Sequence, residues 1–183
     1  MENTFDFQAA RAYAYKYGAI VGLCWIISFL SFVNGLSTPF LADISLVLGI
    51  ASVFVAGNII RFYHNARQEL TFRRAWQMAL TLFLCAAVLT AAAQYVYFQY
   101  MDHGTIAQAY EQILTAPEYQ AQVQQILPQQ GSKDMIQEMI DLLYTITPIQ
   151  MTIQLFIYNL FLGLLLSLPT ALLGKRKKII RKE

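Results

Sequence analysis

The stretch DHGTIAQAYEQILTAPEYQAQVQQILPQQGSKDMIQEMIDLLYTIT, Asp102 to Thr147, is the only long part of this chain that water could hold. It carries acids at Asp102, Glu111, Glu118, Asp134, Glu138 and Asp141 against a single base, Lys133. Apolar runs long enough to cross a bilayer lie on either side of it. The segment therefore reads as the one sizeable insertion of a polytopic helical membrane protein.

Working outward, the composition agrees. The chain has 183 residues, of which 57% are hydrophobic and only 13% charged. A helix at about 1.5 Å per residue needs about 20 apolar residues to cross a core of roughly 30 Å. Four windows, at about 18–36, 41–60, 75–98 and 149–173, meet that requirement. None holds Lys, Arg or His, and their only acid is Asp43. Each run is too long, and too free of polar alternation, for a barrel strand. The expected fold is all-α: four transmembrane helices with an extracytoplasmic helical insertion between spans three and four. The chain divides into 1–101 (an interfacial segment and three spans), 102–147 (the insertion) and 148–183 (the fourth span and a basic tail).

Residues 1–17 mix Arg11 and Lys16 with five aromatics, which suits a retained helix at the water–lipid boundary feeding span one. Ala14, Gly18 and Gly22 form a small-residue ridge for close helix approach, within the bundle or between two copies. Thr38 and Pro39 suit the start of span two, making a tight hairpin with span one. One turn in, Asp43 favours the helix dipole, with proton or ion handling as the sharper alternative. Past span three, Ile106, Tyr110, Ile113 and Leu114 keep helical spacing, so that helix is expected to run on beyond the surface. Thr115-Ala116-Pro117-Glu118 matches a capping box for a short helix to Leu127, ended by Pro128, Gly131 and Ser132. Ile136, Met139, Ile140 and Leu143 then form an apolar stripe, and Thr147-Pro148-Ile149-Gln150 caps span four. That span offers Gly163 and Ser167 as a close-packing face, and Pro169 should kink its far end.

Charge gives the orientation. Twelve of the 13 Lys and Arg fall in the N-terminal segment, the loop with Arg61, Arg67, Arg73 and Arg74, and the tail with Lys175, Arg176, Lys177 and Lys178. Even-numbered spanning puts all three on one side, cytoplasmic by the positive-inside rule, and Asp102–Thr147 outside. These cations are also candidates for gripping lipid headgroups or another anion.

The order of short motifs resembles a known family, the bacterial membrane proteins catalogued as domain of unknown function 4199. Tyr17-Gly18-Ala19-Ile20-Val21-Gly22 opens span one, and Arg61-Phe62-Tyr63 precedes Thr71-Phe72-Arg73-Arg74-Ala75. Tyr97-Phe98-Gln99-Tyr100-Met101-Asp102 leads into the Gln- and Glu-rich segment ending at Thr147-Pro148, and Gly163-Leu164-Leu165-Leu166-Ser167-Leu168 precedes the tail. Met101-Asp102-His103 and Phe72-Arg73-Arg74 stand where the family often has Ile-Asp-Pro and Phe-Gly-Gln. The resemblance implies a bacterial inner-membrane protein and brings no activity or functional residue with it.

Chemistry is conspicuous by what is missing. His64 and His103 fall on opposite sides of the membrane, each expected at the surface, and neither has zinc-type spacing. Cys24 and Cys85 lie within spans and suggest packing, not a disulfide framework. No ionisable group sits at mid-membrane, where a pump would need one. No nucleophile–base set, phosphate loop, cofactor motif or nucleic-acid signature is present. What remains is an intramembrane polar set, Asn34, Gln94, Gln154 and Asn159, which either bonds between helices or lines a pocket in the outer half. The expected role is an accessory or assembly module without its own catalysis, with a membrane-protein partner or as a homo-oligomer. The alternative is a small oligomeric channel or carrier.

Overall fold

The computed structural model describes residues 7–66, 70–126 and 129–175. Its helices are α1 Phe7–Gly35, α2 Pro39–Ala66, α3 Phe72–Tyr100, α4 Thr105–Thr115, α5 Pro117–Ile126, α6 Gln129–Thr145 and α7 Pro148–Lys175. Four of them, α1, α2, α3 and α7, are long and apolar enough to cross a membrane. No strand occurs among the described residues. The protein is an all-α polytopic membrane protein, with α4–α6 forming a cap between the third and fourth spans.

The four long helices form a ring in which α1 lies between α2 and α3, and α7 closes the other side. Contacts across the diagonals are sparse. In lipid the hydrophobic effect gives helices little reason to associate, so close packing and internal hydrogen bonds must do it. Both are evident at the two tryptophans. Trp25 of α1 donates from Nε1 to Ser52 Oγ of α2 at 3.0 Å. Its ring stacks on Phe83 of α3 at 5.6 Å between centroids. A Cβ added to Gly163 of α7 would lie 3.6 Å from the far edge of the same indole. One side chain thus touches all four spans. Trp76 Nε1 likewise donates to Ser167 Oγ at 2.8 Å, joining α3 to α7. Both serines are fully buried, and each donates its own hydrogen to a carbonyl three residues back, Gly49 or Leu164.

Small residues govern the end of the bundle that carries the arginines, here the basic end. Ala14, Ala75, Ala79 and Ala171 are fully buried there. Ala14, Gly18 and Gly22 lie on one face of α1, and Gly18 and Gly22 meet α3 at Cys85, Ala86 and Leu89. Gly57 and Gly174 bring α2 and α7 together against Leu173 and Ile60. At the opposite end a tight turn joins α1 to α2, where Gly35 is pressed onto the backbone of Ala42. Pro39 opens α2, as its missing N–H allows.

Several local expectations are corrected. α3 does not run on into the cap: it ends at Tyr100, and Gly104, at φ 84°, turns the chain so that α4 starts afresh at Thr105. Asp102 Oδ1 accepts the Ile106 N–H at 3.2 Å across that turn. Thr115 does not cap α5. It closes α4, donating back to the Glu111 carbonyl at 2.7 Å, and α5 starts at Pro117 after Ala116. Gly131 and Ser132 lie inside α6, not in a break before it. His64 is buried, because Nδ1 accepts the Leu70 N–H at 2.8 Å and so bridges the connection to α3. His103 is exposed. At the head of α7, Gln150 Oε1 does reach back, accepting from the Thr147 N–H and hydroxyl at 2.8 and 2.9 Å.

The glycine contacts give a stability test. At Gly35 an added Cβ would fall 2.5 Å from the Ala42 nitrogen, whereas at Gly49 its nearest neighbour is Ser28 Oγ at 4.0 Å. Gly35→Ala should cost about 1–3 kcal/mol and lower Tm by on the order of 5 °C in detergent. Gly49→Ala should leave Tm nearly unchanged. Equal losses at the two sites would mean that the α1–α2 turn is looser than described.

Candidate functional site

Two adjoining cavities occupy the half of the molecule nearer the cap. The first, about 580 Å³, lies beneath the cap. Phe29 and Val33 of α1, Phe98 of α3, and Met151 of α7 form its floor, with Ile106, Tyr110 and Leu142 from the cap around it. Phe29 packs edge-to-face on Tyr97 and Phe98 at 5.5 and 5.8 Å, which fixes the floor. The cap holds itself together through Leu114, Ile136 and Ile140, with Tyr119, Val123 and Leu143 against them. Met139 leaves the expected stripe and is exposed, as are Met135 and Leu142.

The second cavity, about 650 Å³, is a groove among all four spans. Its aromatic wall is Trp25, Phe29 and Phe32 of α1, while α2 supplies Asp43, Ser45 and Gly49. Thr90 and Gln94 come from α3, and Leu155 and Asn159 from α7. Gln94 is 3% exposed, and its Oε1 accepts from Asn159 Nδ2 at a long 3.5 Å. Thr90 is 2% exposed, and its hydroxyl has no hydrogen-bond partner. Such a group in an apolar interior costs free energy until something meets it.

Of the intramembrane polar set, the fold brings Gln94 and Asn159 together and separates the other two. Asn34 is exposed and donates to its own helix at the Leu30 carbonyl, 2.7 Å away. Gln154 lines the cavity under the cap. Asp43 is exposed at the edge of the groove. Sequence reasoning missed Thr90, although its position seven residues after buried Phe83 puts it on the same inward face. It also missed the pairing of Trp25 with Ser52, which depends on how α1 and α2 register.

The cations sit at the other end. Arg61 and Arg74 are partly buried and Arg73 is exposed. Arg74 lines a smaller cavity of about 280 Å³ with Arg11. Lys175 ends α7 in an exposed position. Arg67, Arg176, Lys177 and Lys178 lie outside the described residues. No group of three or more His, Cys, Asp or Glu gathers at metal-binding range among the described residues.

One titrating contact ties the cap to itself. Tyr144 of α6 donates its hydroxyl to the Glu111 carboxylate of α4, and this bond holds the phenol above its ordinary value of 10.0. Desolvation and the negative charge of Glu111 act in the same direction. A phenol with a raised folded pKa gives its full contribution below the unfolded value and loses it as pH climbs through the raised one. Hydrogen exchange in α4 should therefore be flat up to about pH 10 and accelerate above it, after correction for intrinsic rates. Tyr144→Phe should speed exchange at neutral pH and abolish that alkaline step. A step surviving in the variant would assign it to another group.

Comparison with known proteins adds one match. The model of a family described as "Protein of unknown function (DUF4199)" covers residues 16–176, all four spans and the cap included. No curated protein and no solved structure matches the chain. Since the match takes in most of the sequence, the chain belongs to the DUF4199 family.

Proposed function

We propose that the protein is an accessory or assembly module of a bacterial inner membrane, without catalysis of its own, and that it works through its cap. The observation that carries this reading is the exposed stripe on α6. Met135, Met139 and Leu142 are 44%, 41% and 60% exposed and recur at helical spacing on one face. A stripe of this kind on a helix outside the spans is unusual unless something covers it, and flexible thioethers adapt well to a protein partner. The strong asymmetry of Lys and Arg supports a cap on the extracytoplasmic side, with both termini cytoplasmic. The basic end is then held against anionic headgroups by Arg61, Arg73, Arg74 and Lys175.

A second reading, a small oligomeric carrier or channel, draws on a different observation: the buried polar side chains Thr90 and Gln94 that line the groove. The two readings part in one experiment. Native mass spectrometry of gently extracted protein should find a second polypeptide at fixed stoichiometry, and Met135→Glu with Met139→Glu should remove it without changing Tm. Saturable solute flux by the purified protein alone in liposomes, with no such polypeptide, would overturn the accessory reading in favour of the carrier.

A further inference from the structure

The groove whose Thr90 and Gln94 favour the second reading also has an open side that neither reading uses. The ring of spans is tightly closed between α2 and α7 where Gly57 meets Leu173 and Ile60 meets Gly174, at the basic end. Toward the cap, α2 contributes Asp43, Leu46 and Ile50 to one wall and α7 contributes Leu155, Asn159 and Leu162 to the other. The seam between those helices is thus occupied by the groove, and in a bilayer it faces lipid. The back wall holds the unpartnered Thr90 hydroxyl and the loosely bonded Gln94 amide.

We infer that this groove binds a neutral membrane-soluble amphiphile with a flat, carbonyl-bearing head of the quinone type. Four features of the groove select that chemistry. Thr90, Gln94 and Asn159 keep N–H and O–H hydrogens beyond their one mutual bond, so a head that brings carbonyl acceptors finds donors there. No cation lines the groove and the carboxylate of Asp43 stands at its edge, which turns away an anionic head. Trp25, Phe29 and Phe32 line one side at positions i, i+4 and i+7, a ring-faced wall suited to a planar group. The fourth feature is depth. Thr90 lies about 15 Å along the helix from Tyr100 and about 7 Å from Tyr95, both near the outer boundary of the span. A phospholipid's ester carbonyls stay at that boundary, whereas a head soluble in hydrocarbon reaches the level of Thr90. An apolar tail leaves by the lipid-facing seam or continues under the cap, because Phe29, Phe32 and Leu155 are walls of both cavities.

Trp25, which lines the groove, is the reporter, and Trp76, the second tryptophan, is replaced by Phe in every form compared. The full-length protein in phosphatidylcholine liposomes is titrated with a decyl-substituted benzoquinone, and tryptophan fluorescence is followed. Binding in the groove gives a saturable quenching component above the linear one due to partitioning. Thr90→Val with Gln94→Leu should raise half-saturation by about tenfold, the combined effect of two neutral hydrogen bonds. Gly49→Phe, on the groove wall where an added Cβ meets only Ser28 Oγ at 4.0 Å, should abolish the saturable component while Tm holds. If the double variant does not fold, Thr90→Val alone should raise half-saturation by about threefold. Purely linear quenching in the Trp76→Phe parent would overturn the inference, as would a saturable component untouched by Gly49→Phe. Saturable quenching by chain-brominated phosphatidylcholine that the benzoquinone does not relieve would also overturn it, by assigning the groove to a phospholipid chain.

Discussion

The indole of Trp25 sets the spacing of the whole bundle. In a hydrocarbon environment its N–H has no water to fall back on, so it must find an acceptor inside the protein. Ser52 supplies one and satisfies its own hydrogen at the Gly49 carbonyl, leaving nothing unpaired at the crossing. The ring then fills the space between α1, α3 and α7, and α7 comes close at Gly163, where an added Cβ would press on Phe83 at 3.0 Å. On the basic side of this crossing alanines and glycines stand between the larger buried residues, as at Ala14, Gly18, Gly57, Ala79, Ala171 and Gly174, and the helices can close. On the cap side the buried residues are Val33 and Phe98 with Phe29 and Tyr97 around them, and the helices are held apart. The two cavities toward the cap make that end of the bundle the wide end of a wedge. The groove and the cavity under the cap are what the wide end leaves unfilled.

Features that depend on short stretches of chain were legible in the sequence. Four spans follow from uninterrupted apolar length, the α1–α2 turn from Pro39, and the head of α7 from Gln150 reaching back to Thr147. The break after Tyr100 was less so, because residues 106–114 continue the helical period that α3 sets up. Gly104, in a left-handed conformation, interrupts a pattern that the apolar spacing alone carries through. Thr115 failed as a cap for a similar reason. Its hydroxyl had a closer acceptor in the last turn of α4, and the two choices look alike on paper.

The polar set shows where reading by depth falls short of reading by rotation. Depth alone puts Asn34, Gln94 and Gln154 in the outer half of the membrane and Asn159 near its middle. At about 100° per residue, Asn34 is half a turn around α1 from Trp25, and Gln154 half a turn around α7 from Gly163. Gln94 and Thr90 lie within about 20° of Phe83 on α3, and Asn159 within about 40° of Gly163. Once Trp25, Phe83 and Gly163 are known to mark the inside, the sorting follows. Nothing in the sequence names those three as the inward markers, since in an apolar span inward and lipid-facing residues share one vocabulary.

That shared vocabulary also bears on how the cap and the spans work together. The cavity under the cap and the groove have Phe29, Phe32 and Leu155 in common, so an occupant of either meets walls of the other. Binding free energies linked through shared side chains are reciprocal: a partner on the cap that altered the floor would change the groove's affinity by the factor a groove occupant would change the partner's. The cap reaches that floor through few points, chiefly Ile106 on Val33 and Phe98, and the elbow at Thr147 where α6 gives way to α7. Met151 and Leu155 lie one and two turns into α7 from that elbow, well short of the tightly packed basic end. The wedge therefore confines any such coupling to the wide half of the bundle, while the alanine and glycine seams keep the other half fixed.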